Sequence, residues 1–434
     1  MQAYDLIQKT RRLEPLTEDE IMFLVEGFTR GEIPDYMMSA WLMAVCCQGL
    51  TVKETTALTL AMRDSGECLD LSPIQAPTAD KHSTGGIGDK TTLLIAPIVA
   101  ACGGFVPKMS GRGLGFTGGT IDKLESIPGF STVLSKEEFL WNTKKIGCCI
   151  ISQSGSLTPA DKKMYALRNL TATVDSIPLI CASIMSKKLA LGADSILLDV
   201  KFGNGAFMKT AEDAETLAAL MVEVGKQAGR SCRAVITDMN APLGAAVGNA
   251  VEVAEVIRML RGETRNTLTD LAAALSAQML VMVGKGDIVT CRRMAEQAIT
   301  SGEALEKLRA MIAAQGGDAR VCDDPELLPK AKVTRIVLAK QRGFVTSIQS
   351  EEVGLACLAL GAGRTAGSAE IDPGAGVEFH RYIGDFVQQG DPLCTVQGRN
   401  ASLCEEAAVR LNAAIEIKDA PAVQRPMIYK IIES

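Results

Sequence analysis

Hydrophobic positions recur at three- and four-residue spacing from residue 1 to about 65, the period of helices that bury one face. Two segments there read as capping boxes, Thr17 to Glu20 and Thr51 to Glu54, each followed by an apolar periodic stretch. A small all-α unit is predicted. From about residue 75 the texture changes. Short apolar runs, GCCIISQ (147–153), SILLDV (195–200) and RAVITDM (233–239), alternate with amphipathic segments such as TAEDAETLAALMVEVGKQ (210–227). This alternation predicts α/β structure with a largely parallel sheet. Residues 162–192 again read as helices in the middle of that unit, so the chain is expected to return to its first helical unit before resuming the sheet.

Beyond about residue 340, GFVTSI, GVEFHRYIGDFVQQGDPLCTV and RPMIYKII are strand-like, and GDFVQQGDPL resembles the hairpin turn of biotinyl/lipoyl-type barrels. Three domains are therefore expected: a discontinuous all-α domain (1–65 with 162–192), an α/β domain (75–160 with 193–335), and a C-terminal α+β domain (345–434). No internal repeat or low-complexity tract interrupts them.

Composition narrows the function. The 434 residues are 47% hydrophobic and 22% charged, too apolar for a disordered chain. A net charge of −6 offers no general attraction to nucleic acid or to anionic membranes. No basic-then-apolar leader and no bilayer-length apolar stretch occur, so a cytoplasmic protein is expected. The 13 cysteines are odd in number and include no CxxC, and several lie in apolar runs, which reads as reduced thiols. His82 and His380 are the only histidines, so a multi-histidine metal site is excluded.

The densest chemistry lies in two segments. Lys81-His82-Ser83-Thr84-Gly85-Gly86-Ile87-Gly88-Asp89-Lys90-Thr91-Thr92 runs into the apolar helix-like LLIAPIVAACGG. A glycine-rich turn opening a helix aims free N–H groups and the positive helix end at one point, which suits phosphate. It is not a Walker A loop, because Asp89 separates Gly88 from Lys90. Alone, the segment could equally be a tight turn with a capped helix. The second segment, residues 108–125, packs five glycines, three hydroxyls and three cations into 18 residues, a backbone-entropy cost that makes little sense for stability alone. With both loops at strand ends, Lys81, Ser83, Thr92, Ser110 and Thr120 could surround one small dianion without a metal.

The two segments closely resemble the signature of the thymidine and pyrimidine-nucleoside phosphorylases, KHSTGG and SGRGLGxTGGTxDKxE. The resemblance extends over the chain through PDYMMSAWLMAV, LTPADKKMYALR, SIMSKK, GAFM and PLGAAVGNAVEV. It implies a nucleoside phosphorylase/phosphoribosyltransferase-like fold, a homodimer, a cleft between the helical and α/β domains, and phosphate as co-substrate. It assigns phosphate contacts to Lys81, Ser83, Thr92, the run Lys108, Met109 and Ser110, and Thr120, and pyrimidine contacts to Arg168, Ser183 and Lys187. His82 would serve as general acid or hydrogen-bond donor to the base O2, with Arg168 and Lys187 stabilising the negative charge on the departing pyrimidine. Bringing the two groups together should require the cleft to close. Lys108 points to broad specificity, uridine as well as thymidine and deoxyuridine, with a strict thymidine phosphorylase as the alternative.

Three positions depart from the family pattern: Phe116 stands where histidine is common, Phe202 where a smaller residue is, and Lys90 where a short residue, often threonine, is. The last bears on a potassium site that the resemblance maps to Gly88, Lys90, Leu243, Ala246 and Glu255. An ammonium carries the same unit charge and three donors, so Lys90 could fill that position itself, or it could face solvent and leave the site to potassium. Two other readings compete for the whole chain. An anthranilate phosphoribosyltransferase-like enzyme would bind pyrophosphate through magnesium, and a non-catalytic nucleoside-binding protein would have lost an active-site residue.

Overall fold

The computed structural model describes residues 1–113, 118–153, 155–364, 370–423 and 425–433. Four helices open the chain: α1 (Ala3–Arg11), α2 (Glu18–Arg30), α3 (Asp35–Gln48) and α4 (Val52–Asp64). Both capping boxes form. The Glu20 and Glu54 amides donate to the threonine hydroxyls at 3.3 and 3.2 Å, and each glutamate accepts from its threonine amide at 2.9 Å.

The chain continues through β1 (Ala79–Ser83), α5 (Thr91–Ala101), β2 (Val106–Ser110), α6 (Thr120–Leu124), α7 (Lys136–Ile146) and β3 (Cys148–Ser152). Next come α8 (Pro159–Leu170), α9 (Ile177–Leu191), β4 (Ser195–Phe202), α10 (Ala211–Gln227), β5 (Ser231–Asp238), β6 (Ala246–Gly248) and α11 (Ala250–Leu260). Helices α12 (Thr267–Met282), α13 (Ile288–Thr300) and α14 (Glu303–Ala314) complete the part that surrounds the central sheet. The C-terminal part comprises β7 (Val333–Leu338), β8 (Gly343–Ile348), α15 (Ser350–Leu360), β9 (Gly376–Phe379), β10 (Phe386–Val387), β11 (Pro392–Gly398), α16 (Ala401–Ala414), β12 (Ile415–Lys418) and β13 (Ile428–Glu433). No helix among the described residues is long and apolar enough to cross a membrane.

Helices α8 and α9 return to the first four. Ala160, Met164, Leu179 and Ala182 share one apolar cluster with Leu24, Phe28 and Trp41. The opposite face of α9, with Cys181, Met185 and Leu189, packs with α10 and the sheet. Apolar on both of these faces, α9 joins the two cores. Strands β1, β4 and β5 pair in parallel, with His82 opposite Leu198 and Ser83 opposite Asp199. Alternate residues of β4 serve opposite cores, Leu197 one and Ile196, Leu198 and Val200 the other, because helices cover both faces.

Four features differ from the sequence expectation. Strands β2 and β3 pair in parallel with each other, and a single bridge, Thr78 to Phe105, links them to β1. The run RPMIYKII, expected in the C-terminal domain, instead supplies β13, which pairs antiparallel with β5 and covers an edge that would otherwise be open. Phe202 meets Tyr429 of this strand edge-on at 5.7 Å, so the larger side chain at 202 packs the returning terminus. The 335/345 boundary is also crossed, since β6 and β7 join β9 and β11 in a sheet ordered β6-β9-β11-β7. Finally, GDFVQQGDPL does turn at Gln388–Asp391, but its strands part: β10 pairs with β8 and β11 with β9 and β7. It is not a paired hairpin.

Candidate active site

The first glycine-rich loop leaves the carboxyl end of β1 and enters α5, and the second leaves β2 and enters α6, so both open at strand ends, where α/β sheets bind ligands. A cleft of about 300 Å³ lies between them and helices α8 and α9. Its wall includes His82, Ser83, Thr92, Lys108, Met109, Ser110 and Thr120 on the loop side, and Arg168, Ser183 and Lys187 on the helical side. These are the residues expected at the site, with one exception.

Lys81 is the exception. Successive residues of a strand point to opposite faces, so His82 turns toward the cleft while Lys81 turns away. Its ammonium is buried behind the loop, 3.0 Å from Asp199 and donating to Thr91 Oγ1 at 2.6 Å. Lys201 completes this group at 2.8 Å from Asp199. The Lys81 ammonium thus does not line the cleft here and supports the loop from beneath. Asp89 faces the cleft just before α5, accepting from the Thr91 amide at 3.1 Å, and it also accepts from the Ser83 hydroxyl. Burial raises the Asp89 pKa, but Lys81, Lys201 and these hydroxyls outweigh it and hold the carboxyl well below the usual range. A phosphate at this helix end meets a carboxylate as well as donors, so Ser83 must turn from Asp89 to serve it.

On the β1–β2 side, Asp80 lies between two buried ammoniums, Lys188 at 2.7 Å and Lys108 at 3.5 Å. Both also donate to the Met109 carbonyl at 3.0 Å. Burial pushes the Lys108 pKa well below its ordinary value and Lys188 adds to this, with Asp80 offsetting part. A phosphate dianion against Lys108 would favour its charged form.

The helical side is equally pre-built. Lys187 donates to Ser183 Oγ at 2.9 Å, one turn away on α9, and to Asp161 Oδ2 of α8 at 2.5 Å. Arg168 donates to the backbone carbonyls of Thr173, Leu179 and Val174 at 3.0, 3.0 and 2.7 Å. All three guanidinium nitrogens thus brace the α8–α9 connection, and two of the five N–H groups are left for a ligand. Tyr165, Ile180 and Ile184 give this side an apolar lining suited to a planar ring.

The chain matches a model of the helical bundle domain of a glycosyl transferase family over residues 4–66 and one of its a/b domain over residues 75–305. Residues 344–418 match a model of the pyrimidine nucleoside phosphorylase C-terminal domain. The chain is 48% identical over 433 residues to a pyrimidine-nucleoside phosphorylase of Staphylococcus haemolyticus, covering 100% of both chains. It is 47% identical over 430 residues to one of Geobacillus stearothermophilus, covering 99% of both. The chain belongs to the pyrimidine-nucleoside phosphorylase family. Its fold is shared more widely. A solved anthranilate phosphoribosyltransferase from Thermus thermophilus superposes with a TM-score of 0.60 at 21% identity, covering 73% of this chain and 99% of that one. That likeness is one of fold alone, and the full-length relatives do not favour the phosphoribosyltransferase reading.

The position that the resemblance maps to potassium is already filled. The Leu243 and Ala246 carbonyls and the Glu255 carboxylate do converge there, but on the Lys90 ammonium, at 2.8, 2.7 and 2.7 Å. An ion and this ammonium cannot share one position, so the residues present do not fit a bound potassium. Gly88 is needed beside it: its φ is +69°, and a Cβ there would come within 2.5 Å of the Leu243 carbonyl oxygen. Phe116 lies outside the described residues.

Sequence reasoning missed Asp89, Asp161 and the Asp80–Lys188 pair as parts of the site. Asp89 stood inside the first glycine-rich motif, but Asp161 and Lys188 meet partners 26 and 108 residues away. Asp161 is buried and holds Lys187 in place. Asp161→Asn is therefore expected to lower kcat by up to about 10²-fold through misplacement of Lys187, with the KM for phosphate unchanged. Steady-state kinetics with each substrate varied separately, alongside a melting curve, would distinguish this positioning role from general loss of fold.

Proposed function

We propose that the protein catalyses the reversible phosphorolysis of uridine, thymidine and deoxyuridine to the free pyrimidine and the α-D-(deoxy)ribose 1-phosphate. The observation that carries this reading is one cleft whose opposite walls are a two-loop anion cradle and the Arg168, Ser183 and Lys187 group. Phosphate would sit against Ser83, Thr92, Ser110 and Thr120 with Lys108 near, and attack C1′ as the N-glycosidic bond breaks. Negative charge then gathers on the departing base, where Lys187, the free edge of Arg168 and the His82 N–H oppose it. Phosphate is a co-substrate, and no resident cofactor is invoked. The full-length relatives named as pyrimidine-nucleoside phosphorylases support the pyrimidine assignment.

A homodimer in the cytoplasm belongs to the same reading. Its support is the exposed apolar side chains of α1 and α3, Tyr4, Tyr36 and Met43, which would be covered by a second copy. Cleavage of uridine and thymidine should require phosphate or arsenate, because the two-loop cradle supplies the anion as nucleophile. Free base and sugar 1-phosphate should form in equal amounts. Equal rates of base release without either anion would make the protein a hydrolase.

A further inference from the structure

The strongest feature the proposed reaction does not use lies beneath the phosphate cradle. Lys90 is fully buried and is the residue preceding the first turn of α5. An ammonium has three N–H donors, and here each meets one acceptor: the carbonyls of Leu243 and Ala246 and Glu255 Oε2. Glu255 is itself fixed by the amides of Ala245 at 2.6 Å and Ala246 at 2.9 Å. Burial raises its pKa, but the Lys90 charge and these N–H groups outweigh burial and keep the carboxyl ionised, below its ordinary value.

Three residues earlier on α11, Glu252 pairs at 2.9 Å with a second buried ammonium, Lys123 of α6, which donates to the Asp89 carbonyl at 2.7 Å. Lys90 braces the first phosphate loop to α11 and Lys123 braces α6, which follows the second loop, to both. Two carbonyls and a carboxylate with their oxygens aimed at one point form a site for a single positive charge. In this chain the charge is covalently attached.

We infer that Lys90 is a built-in monovalent cation: its ammonium occupies and neutralises an oxygen-lined cation position, so the phosphate loops are held without any metal ion. A short residue at 90 would leave the same oxygens open to a free ion. A tethered charge cannot be diluted away, so loop order is independent of the cation concentration around the protein. This inference concerns the scaffold beneath the loops and stands whether or not the proposed reaction is right.

The test uses the full-length protein in potassium chloride and in tetramethylammonium chloride at matched ionic strength. The unmutated protein is expected to show the same Tm and the same uridine phosphorolysis rate in both salts. Lys90→Thr, which vacates the position and leaves a hydroxyl, is expected to lose Tm in tetramethylammonium and to regain it progressively as potassium is raised, as binding confined to the folded state requires. A Tm of the unmutated protein that rises with potassium would overturn the inference. So would a Lys90→Thr protein whose Tm does not respond to potassium, whether it folds in both salts or in neither, since ion and ammonium would then not be interchangeable. The response of Tm to potassium decides the inference, and failure of the phosphorolysis assay alone would count against the proposed function instead.

Discussion

Lys187→Ala is expected to lower kcat for uridine phosphorolysis by about 10²–10³-fold, the usual consequence of removing one group aimed at developing charge, or about 2.7–4 kcal/mol of transition-state stabilisation. The KM for phosphate should stay near that of the unmutated protein, because Lys187 lies on the helical wall with Ser183 and Asp161 and not in the loop cradle. The effect should also depend on Asp161. Once Asp161→Asn has released the ammonium from its 2.5 Å pairing, removing the ammonium should cost less than it does in the intact protein. A double-mutant cycle on kcat measures this, and strictly additive losses would show that the two residues act separately. Lost phosphate affinity with unchanged turnover would move Lys187 to the phosphate side.

The pattern of what could be read from the sequence follows from the range of the interactions involved. Capping boxes, glycine-rich turns and apolar strands are local, and they locate the first helices, both loops and the main strands. The match of Lys90 to oxygens more than 150 residues away was legible only as a departure from a family pattern, since nothing near residue 90 reports on Leu243 or Ala246. The return of β13 to the edge of β5 had no local signal either; RPMIYKII is strand-like wherever it pairs. That Lys81 lies behind the cleft wall was not legible for a different reason. Motif membership gives a position on β1, but the pleat of the strand decides which side chains face the cleft, and it puts Lys81 and His82 on opposite sides.

That same pleat sets the protonation of His82, and with it the expected behaviour of the base-side donor. Burial lowers its pKa well below 6.5, and the ammoniums of Lys188, Lys108, Lys187 and Lys81 lower it further. At neutral pH the imidazole is therefore uncharged, and it can offer the base O2 an N–H hydrogen bond but not an imidazolium proton. Below 6.5 the unfolded chain gains a proton that the folded chain refuses, so this residue's contribution to stability is present above 6.5 and is lost as pH falls below it. His82→Gln should blunt that loss. Because the chain has only two histidines, the NMR signal missing from His82→Gln assigns itself, and in the unmutated protein it should stay at its neutral position as pH passes down through 6.5. In catalysis, His82→Ala should lower kcat by about 10²–10³-fold for uridine, as loss of a charge-stabilising donor does. The penalty should shrink steadily as electron-withdrawing 5-substituents make the leaving pyrimidine more acidic, since such bases need less help to depart. A plot of the His82→Ala penalty against leaving-base acidity is the decisive measurement: a flat line would mean that His82 positions the substrate and does not oppose its charge.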